Sequence, residues 1–310
     1  MTIEHHPVVD RASWLELRKR DVTASVAGAL VGAHERVTAL ALWLDKTDTL
    51  ALDGDAGETP AMRRGRLLEP LAADLLREMH PTWTIKSPAV YLRDPEVRLG
   101  ATPDLYAHDE RGRFGIIEVK TIEPSIFHRQ WRQPDGTIEP PMAAVIQAIV
   151  NKHLAEAEWC AVAAMRVGHG IDLDVIPLPD DSAAVYERVK AACVEFWKAV
   201  EDRLPPAPDF ERDAQLLLRL ADVTEGETID LTDDNELPEL AARDHELAGQ
   251  IKSAELERGV IKGRLVHKMC GAAAVIYRNK VVAEAKKISR AAYIAKATEY
   301  VRVGFKGRIE

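Results

Sequence analysis

Two strand-length segments, Leu99 to Ala107 and Phe114 to Thr121, flank the polar, glycine-bearing run His108-Asp109-Glu110-Arg111-Gly112-Arg113. This pattern predicts a β-hairpin. A turn centred near Glu110 sets Asp104 roughly opposite Ile117 and Glu118. Side chains alternate along a strand, so Glu118 and Lys120 share one face while Ile117 and Val119 point to the other, into a core. The hairpin therefore gathers two acids and a lysine beside an apolar layer. Neighbouring buried carboxylates without counter-charge force one of them to stay protonated. A divalent cation and the Lys120 ammonium remove that cost. The same spacing also suits an ordinary charged surface hairpin, so its weight depends on what accompanies it.

Three further segments do accompany it. Met62-Arg63-Arg64-Gly65-Arg66-Leu67-Leu68-Glu69-Pro70-Leu71 opens a helix running to about Met79. Its buried face is Leu68, Leu71, Ala72, Leu75, Leu76 and Met79, with Glu69 on the border. Downstream, Pro140-Pro141 starts a helix from about Met142 to Ala155 that carries Gln147, followed by an apolar strand, Trp159 to Met165. Near the N-terminus, Arg18, Lys19 and Arg20 precede Thr23-Ala24-Ser25 at a predicted helix start, where hydroxyls and arginine suit a phosphate. Taken singly, these also read as a solvated acid, a surface glutamine and an ordinary N-cap.

In order, Arg18…Thr23-Ala24-Ser25, Gly65…Glu69-Pro70, Pro103-Asp104…Glu118-x-Lys120-Thr121 and Pro140-Pro141…Gln147…Trp159 resemble the YqaJ-type viral recombinases. That family includes the bacteriophage lambda exonuclease and belongs to the PD-(D/E)xK nuclease superfamily. The resemblance covers about residues 12 to 200. It implies an α/β, restriction-endonuclease-like core, a mixed central sheet flanked by helices. It implies Mg²⁺, with Mn²⁺ able to substitute, held by Glu69, Asp104, Glu118 and the Val119 carbonyl. Lys120 would be the catalytic lysine, acting with Glu118, Asp104 and Gln147. Arg18 and Ser25, with Thr23 and Arg20 beside them, would hold a 5′-phosphate. The implied activity is hydrolysis of double-stranded DNA from the 5′ end, leaving a 3′ single strand for phage or prophage recombination. The implied partners are DNA ends, a single-strand annealing protein and further copies of the chain. One departure is Ile149, where many relatives carry a second glutamine.

Charge is unevenly distributed. The net charge is −9, yet from Lys252 onward there are 14 Lys or Arg against 5 Asp or Glu. From Pro205 to Gln250 there are 13 acids against 3 bases. The basic end could follow phosphates while the acidic stretch stays off them or faces a partner. Cys160, Cys193 and Cys270 are too few and too scattered for a disulfide framework or an iron–sulfur cluster. With no apolar run of membrane length and no secretory signal, the expectation is a cytoplasmic protein, in the bacterial host if phage-encoded.

The predicted organisation is an N-terminal helical part (1–60), a nuclease core (61–204), an acidic linker (205–236) that begins at Pro205-Pro206-Ala207-Pro208, and a C-terminal helix and basic hairpin (237–310). Within the core, Ile171 to Pro177 reads as a strand and Ser182 to Arg203 as an amphipathic helix. The long helix from Leu237 to about Cys270 is either a coiled-coil-like arm or packed on the core. His5-His6 reads as a mobile terminus, and Trp131 as either a packing residue or a base-stacking one. Two other functions share these features: a structure-specific DNA endonuclease of the same superfamily, and a non-catalytic DNA-binding scaffold.

Overall fold

A computed structural model describes residues 2–49, 59–180 and 182–288. The chain divides into two compact units, residues 1–216 and 217–310. The first opens with β1 (Glu4–Pro7), α1 (Arg11–Lys19), β2 (Val22–Thr23), the short α2 (Ala24–Ala27) and α3 (Ala39–Lys46). Then comes α4 (Pro60–Met79), started by Pro60 in its first turn and by Thr59, whose Oγ1 accepts the Met62 N–H at 3.2 Å. Five strands follow: β3 (Thr84–Lys86), β4 (Val90–Asp94), β5 (Leu99–Ala101), β6 (Leu105–His108) and β7 (Phe114–Ile122). The unit is completed by α5 (Pro124–Gln130), α6 (Met142–Leu154), β8 (Trp159–Val167), β9 (Ile171–Pro177), α7 (Ala183–Glu201) and α8 (Phe210–Leu220), the last of which runs across the unit boundary.

The strands form two sheets. One has the order β1-β4-β5-β2, with β2 parallel to β5 and the other pairs antiparallel. The other has the order β3-β6-β7-β8-β9, in which only β7 and β8 run parallel. The predicted hairpin is β6–β7, with Leu105 paired to Ile117. Gly112 supplies the positive φ of its turn, +77°. Asp109 Oδ1 accepts the N–H groups of Arg111 and Arg113, both at 2.9 Å.

The expected continuous strand Leu99–Ala107 is two strands in different sheets, β5 and β6. Pro103 sits in the gap, where its missing N–H and fixed φ end the pairing. That break leaves Asp104 just ahead of β6. The N-terminal part is not all helical either. His5 and His6 pair with Leu92 and Tyr91 in an edge strand rather than forming a mobile end. An ionic network tightens this region: buried Asp21 accepts from the Tyr91 hydroxyl at 3.0 Å and Arg93 Nε at 2.9 Å, and Arg93 Nη1 reaches Glu4 at 3.2 Å.

Helices cover both faces of β7. Ile116 and Ile122 pack into the main core with Ala148, Ile149 and Val150 of α6 and Phe196 of α7. Ile117 faces a second cluster with Ala73 and Leu76 of α4. Met79, expected on the buried face of α4, is exposed at its end. Within the expected acidic linker, α8 is a formed helix. Its Asp213 is 2% exposed and accepts from Thr38 Oγ1 at 2.6 Å and the Asp209 N–H at 2.8 Å. Arg212 Nη1 donates to the His34 carbonyl at 2.7 Å.

In the second unit α9 (Leu237–Met269) precedes the antiparallel hairpin β10 (Ala274–Tyr277) and β11 (Lys280–Glu284). Arg278 and Asn279 turn it with φ of 49° and 61°, the conformation that two-residue hairpin loops favour. Leu247, Ile251, Leu256 and Ile261 of α9 are exposed. The basic tail from residue 289 lies outside the described residues. Among these, no helix is long and apolar enough to cross a membrane.

Candidate active site

Asp104 enters from the chain break before β6, and its Oδ2 accepts the Val119 N–H at 2.8 Å. On β7, Glu118 is 1% exposed and Lys120 Nζ donates to its Oε1 at 2.9 Å. The same ammonium donates to Gln147 Oε1 of α6 at 2.8 Å. One helical turn further, Asn151 Nδ2 donates to Glu118 Oε2 at 2.8 Å. Strand alternation places Glu118 and Lys120 on the α6 side of β7, and α6 meets them with two amides. Val119 faces away and joins the site through its backbone.

The electrostatics are those of crowded acids. Loss of water contact, then the charges of Glu118 and Glu69, hold the Asp104 carboxyl well above its ordinary range, against the opposing pull of Lys120. Glu69 on α4 is raised by burial and then by Glu118. Burial works against the Lys120 ammonium, but Glu118 and Asp104 outweigh it and its pKa rises. Three carboxylates thus feel one another with one lysine among them. Among the described residues, no three His, Cys, Asp or Glu side chains converge closely enough to hold a metal alone. Mg²⁺ does not require such a cage, since it keeps several waters and is commonly held by one or two carboxylates plus substrate phosphate. Asp104 and Glu118 are hard oxygen donors, crowded with Glu69 around a single lysine, and in that respect they fit the ion.

Arg18, Thr23 and Ser25 also come together. Thr23 Oγ1 lies 3.0 Å from Ser25 Oγ, and Arg18 Nη2 donates to Ser25 Oγ at 3.4 Å. The expected helix with a hydroxyl cap is only the four-residue α2, and Thr23 caps none of its N–H groups. The cluster is therefore one of side chains rather than of a helix end. Arg20 stands apart, exposed at the end of α1 with its carbonyl accepting from Arg98 Nε at 3.1 Å. The Arg18 guanidinium lies 4.4 Å from the centre of the Trp14 ring, and Trp14 Nε1 donates to Thr102 Oγ1 at 3.0 Å. Thr102 is two residues from Asp104, so this bond links the hydroxyl cluster to the acids.

Sequence reasoning passed over Asn151, Trp14 and Arg64. The last donates from Nη2 to the Thr121 carbonyl at 3.3 Å, next to Lys120. Asn151 had a readable signal: a polar residue inside Ala148-Ile149-Val150-Asn151, four positions after Gln147 and hence on its face of the helix. Ile149 turns into the core, 4% exposed. Trp131 is 4% exposed and stacks on Phe127 at 6.0 Å, which makes it a packing residue rather than a base-stacking surface.

Asp104, just ahead of β6, and Glu118 and Lys120 on the neighbouring β7 thus meet in a mixed sheet flanked by helices, the arrangement expected from the sequence. Residues 13–158 match the sequence profile of the YqaJ-like viral recombinase domain. No curated protein matches the chain. Among solved structures, it is similar to an alkaline exonuclease (LHK-Exo) from Laribacter hongkongensis, at 18% identity and TM-score 0.49 over 67% of this chain and 100% of that one. It is also similar to SOX in a SOX–DNA complex, at 11% identity and TM-score 0.41 over 63% of this chain and 68% of that one.

Proposed function

We propose that the chain is a Mg²⁺-dependent deoxyribonuclease that degrades double-stranded DNA ends 5′ to 3′, releasing 5′-mononucleotides and leaving 3′ single strands for recombination. The observation that carries this reading is the Glu118–Lys120 pair, tied to Gln147 at 2.8 Å and set beside Asp104. Asp104 and Glu118 would hold the ion, with Glu69 and the Val119 carbonyl as further donors. When bound, the ion supplies positive charge at the scissile phosphate and acidifies a water.

The remaining work falls to the chain. The Lys120 ammonium, oriented by Glu118 and Gln147, sits where it can align the attacking water and offset charge that builds in the transition state. Its raised pKa keeps it protonated at neutral pH, which favours orientation and charge stabilisation over proton abstraction. Arg18, with the Thr23 and Ser25 hydroxyls, offers the charged and neutral donors that a terminal 5′-phosphate accepts. The Trp14–Thr102 bond would transmit that position to Asp104.

The test uses linear duplex DNA with 5′-phosphate or 5′-hydroxyl ends, in Mg²⁺ or EDTA, with wild type and Lys120→Ala. Expected are Mg²⁺-dependent loss from 5′ ends, faster on phosphorylated ends, and a decrease of about 10²–10⁴-fold in the variant. Nicking of circular DNA would replace this reading with an endonuclease. Tight binding without cleavage in any divalent metal would leave a DNA-binding scaffold.

A further inference from the structure

Asn151 is 0% exposed on a helix whose buried side chains, Lys152 apart, are otherwise apolar. Its Nδ2 donates to Glu118 Oε2 at 2.8 Å, while its Oδ1 has no partner. A buried amide with half its capacity unmet is a poor way to fill a core, since an apolar side chain would leave no orphaned acceptor. Such a local conflict is expected where function sets the residue.

The geometry around it has a simple logic. Gln147 and Asn151 stand four residues apart on one helix face. Gln147 offers its carbonyl oxygen to the Lys120 ammonium, and Asn151 offers its amide N–H to the Glu118 carboxylate. Each amide shows the polarity that its partner needs. Glu118 is thereby held at both oxygens, Oε1 by Lys120 and Oε2 by Asn151, so its carboxylate plane cannot turn about the last side-chain bond. An ionised carboxylate has about four acceptor sites, and two stay open.

We propose that Asn151 is a positioning residue that fixes the Glu118 carboxylate for divalent-cation binding. This rests on the metal-dependent reading above. The test titrates Mg²⁺ and Mn²⁺ by calorimetry into DNA-free wild type, Asn151→Ala, Asn151→Asp, Glu118→Gln and the Glu118→Gln/Asn151→Ala double variant, with folding checked by melting. Asn151→Ala should weaken cation affinity about 10–100-fold. It should leave the KM for duplex DNA unchanged, and excess cation should recover its kcat. Asn151→Asp, similar in shape but unable to donate when ionised, should bind as weakly. The double variant should bind no worse than Glu118→Gln, because Asn151 acts through Glu118. If Asn151→Ala does not fold, Asn151→Leu, similar in size but without a donor, takes its place in the comparison. Wild-type affinity in a folded Asn151→Ala or Asn151→Leu protein, or a further loss in the double variant, overturns the inference alone. No cation binding by wild type overturns it together with the metal-dependent reading.

Discussion

Thr38→Val tests whether the start of α8, within residues 1–216, is held in place by a buried hydroxyl. The substitution keeps the shape of the side chain and removes its oxygen. Two interactions go with it: the 2.6 Å bond to Asp213 and the 3.0 Å cap that Thr38 Oγ1 provides to the Ala41 N–H at the start of α3. A hydrogen bond to a charged group is worth about 1.5–3 kcal/mol. Loss of a threonine N-cap costs about 1 kcal/mol. Asp213 keeps the Asp209 N–H, so the carboxylate is not fully orphaned and the lower part of the summed range applies, about 2.5–3 kcal/mol. For a unit of this size that lowers the melting temperature by roughly 5–12 °C. Calorimetric melting and urea titration of wild type, Thr38→Val, Asp213→Ala and the double variant measure the cost and the coupling. Thr38→Ser, which retains both bonds, should melt near wild type. A Thr38→Val protein melting within about 2 °C of wild type, or a coupling energy near zero, would refute the reasoning.

Three other outcomes are expected. Asp104 has a folded pKa above its ordinary value, so it binds protons more readily in the native state, and its contribution to stability falls as pH rises toward that folded pKa. Metal-free Asp104→Asn should therefore lose less stability than wild type between pH 4 and pH 9, and melting in EDTA that shows equal or steeper loss contradicts this. Removing residues 271–310, which carry nine Lys or Arg against three Asp or Glu, should weaken duplex binding and flatten its salt dependence; unchanged affinity and slope would exclude that segment from the interface. Gly100→Ala should cost about 1–3 kcal/mol, because the added methyl meets the Tyr91 hydroxyl that bonds Asp21; urea titration checks it.

The hairpin, α4, α6 and the strands on either side of α6 were legible because their apolar periodicity and turn residues agree with the final packing. Glu118 and Lys120 were legible for the same reason: alternation alone puts them on one face. The features that were missed depend on partners far apart in sequence. Nothing local to Asp21 says that Tyr91 and Arg93 will enclose it. Asp213 reads as one more acid in an acidic stretch until Thr38, 175 positions away, is brought against it. Asn151 failed differently: its helix was recognised, but an amide in an apolar run carries no sign of which carboxylate it will meet. Pro103 was noticed as part of a motif rather than as the residue that ends β5 and sends the chain into another sheet.

The profile match ends at residue 158, one position before β8 begins. Yet β7, which carries Glu118 and Lys120, is completed by β8 along the whole register from Gly115–Trp159 to Ile122–Arg166. A fragment cut to the matched segment would contain every proposed catalytic side chain and still leave one flank of β7 as an open template of unpaired backbone groups. Such an edge recruits strands from other molecules. The stretch recognisable by ancestry is thus shorter than the stretch that can fold. Expression of residues 13–158 alone should give aggregate, while extension through β9 and α7 restores the missing neighbour and the cover over it.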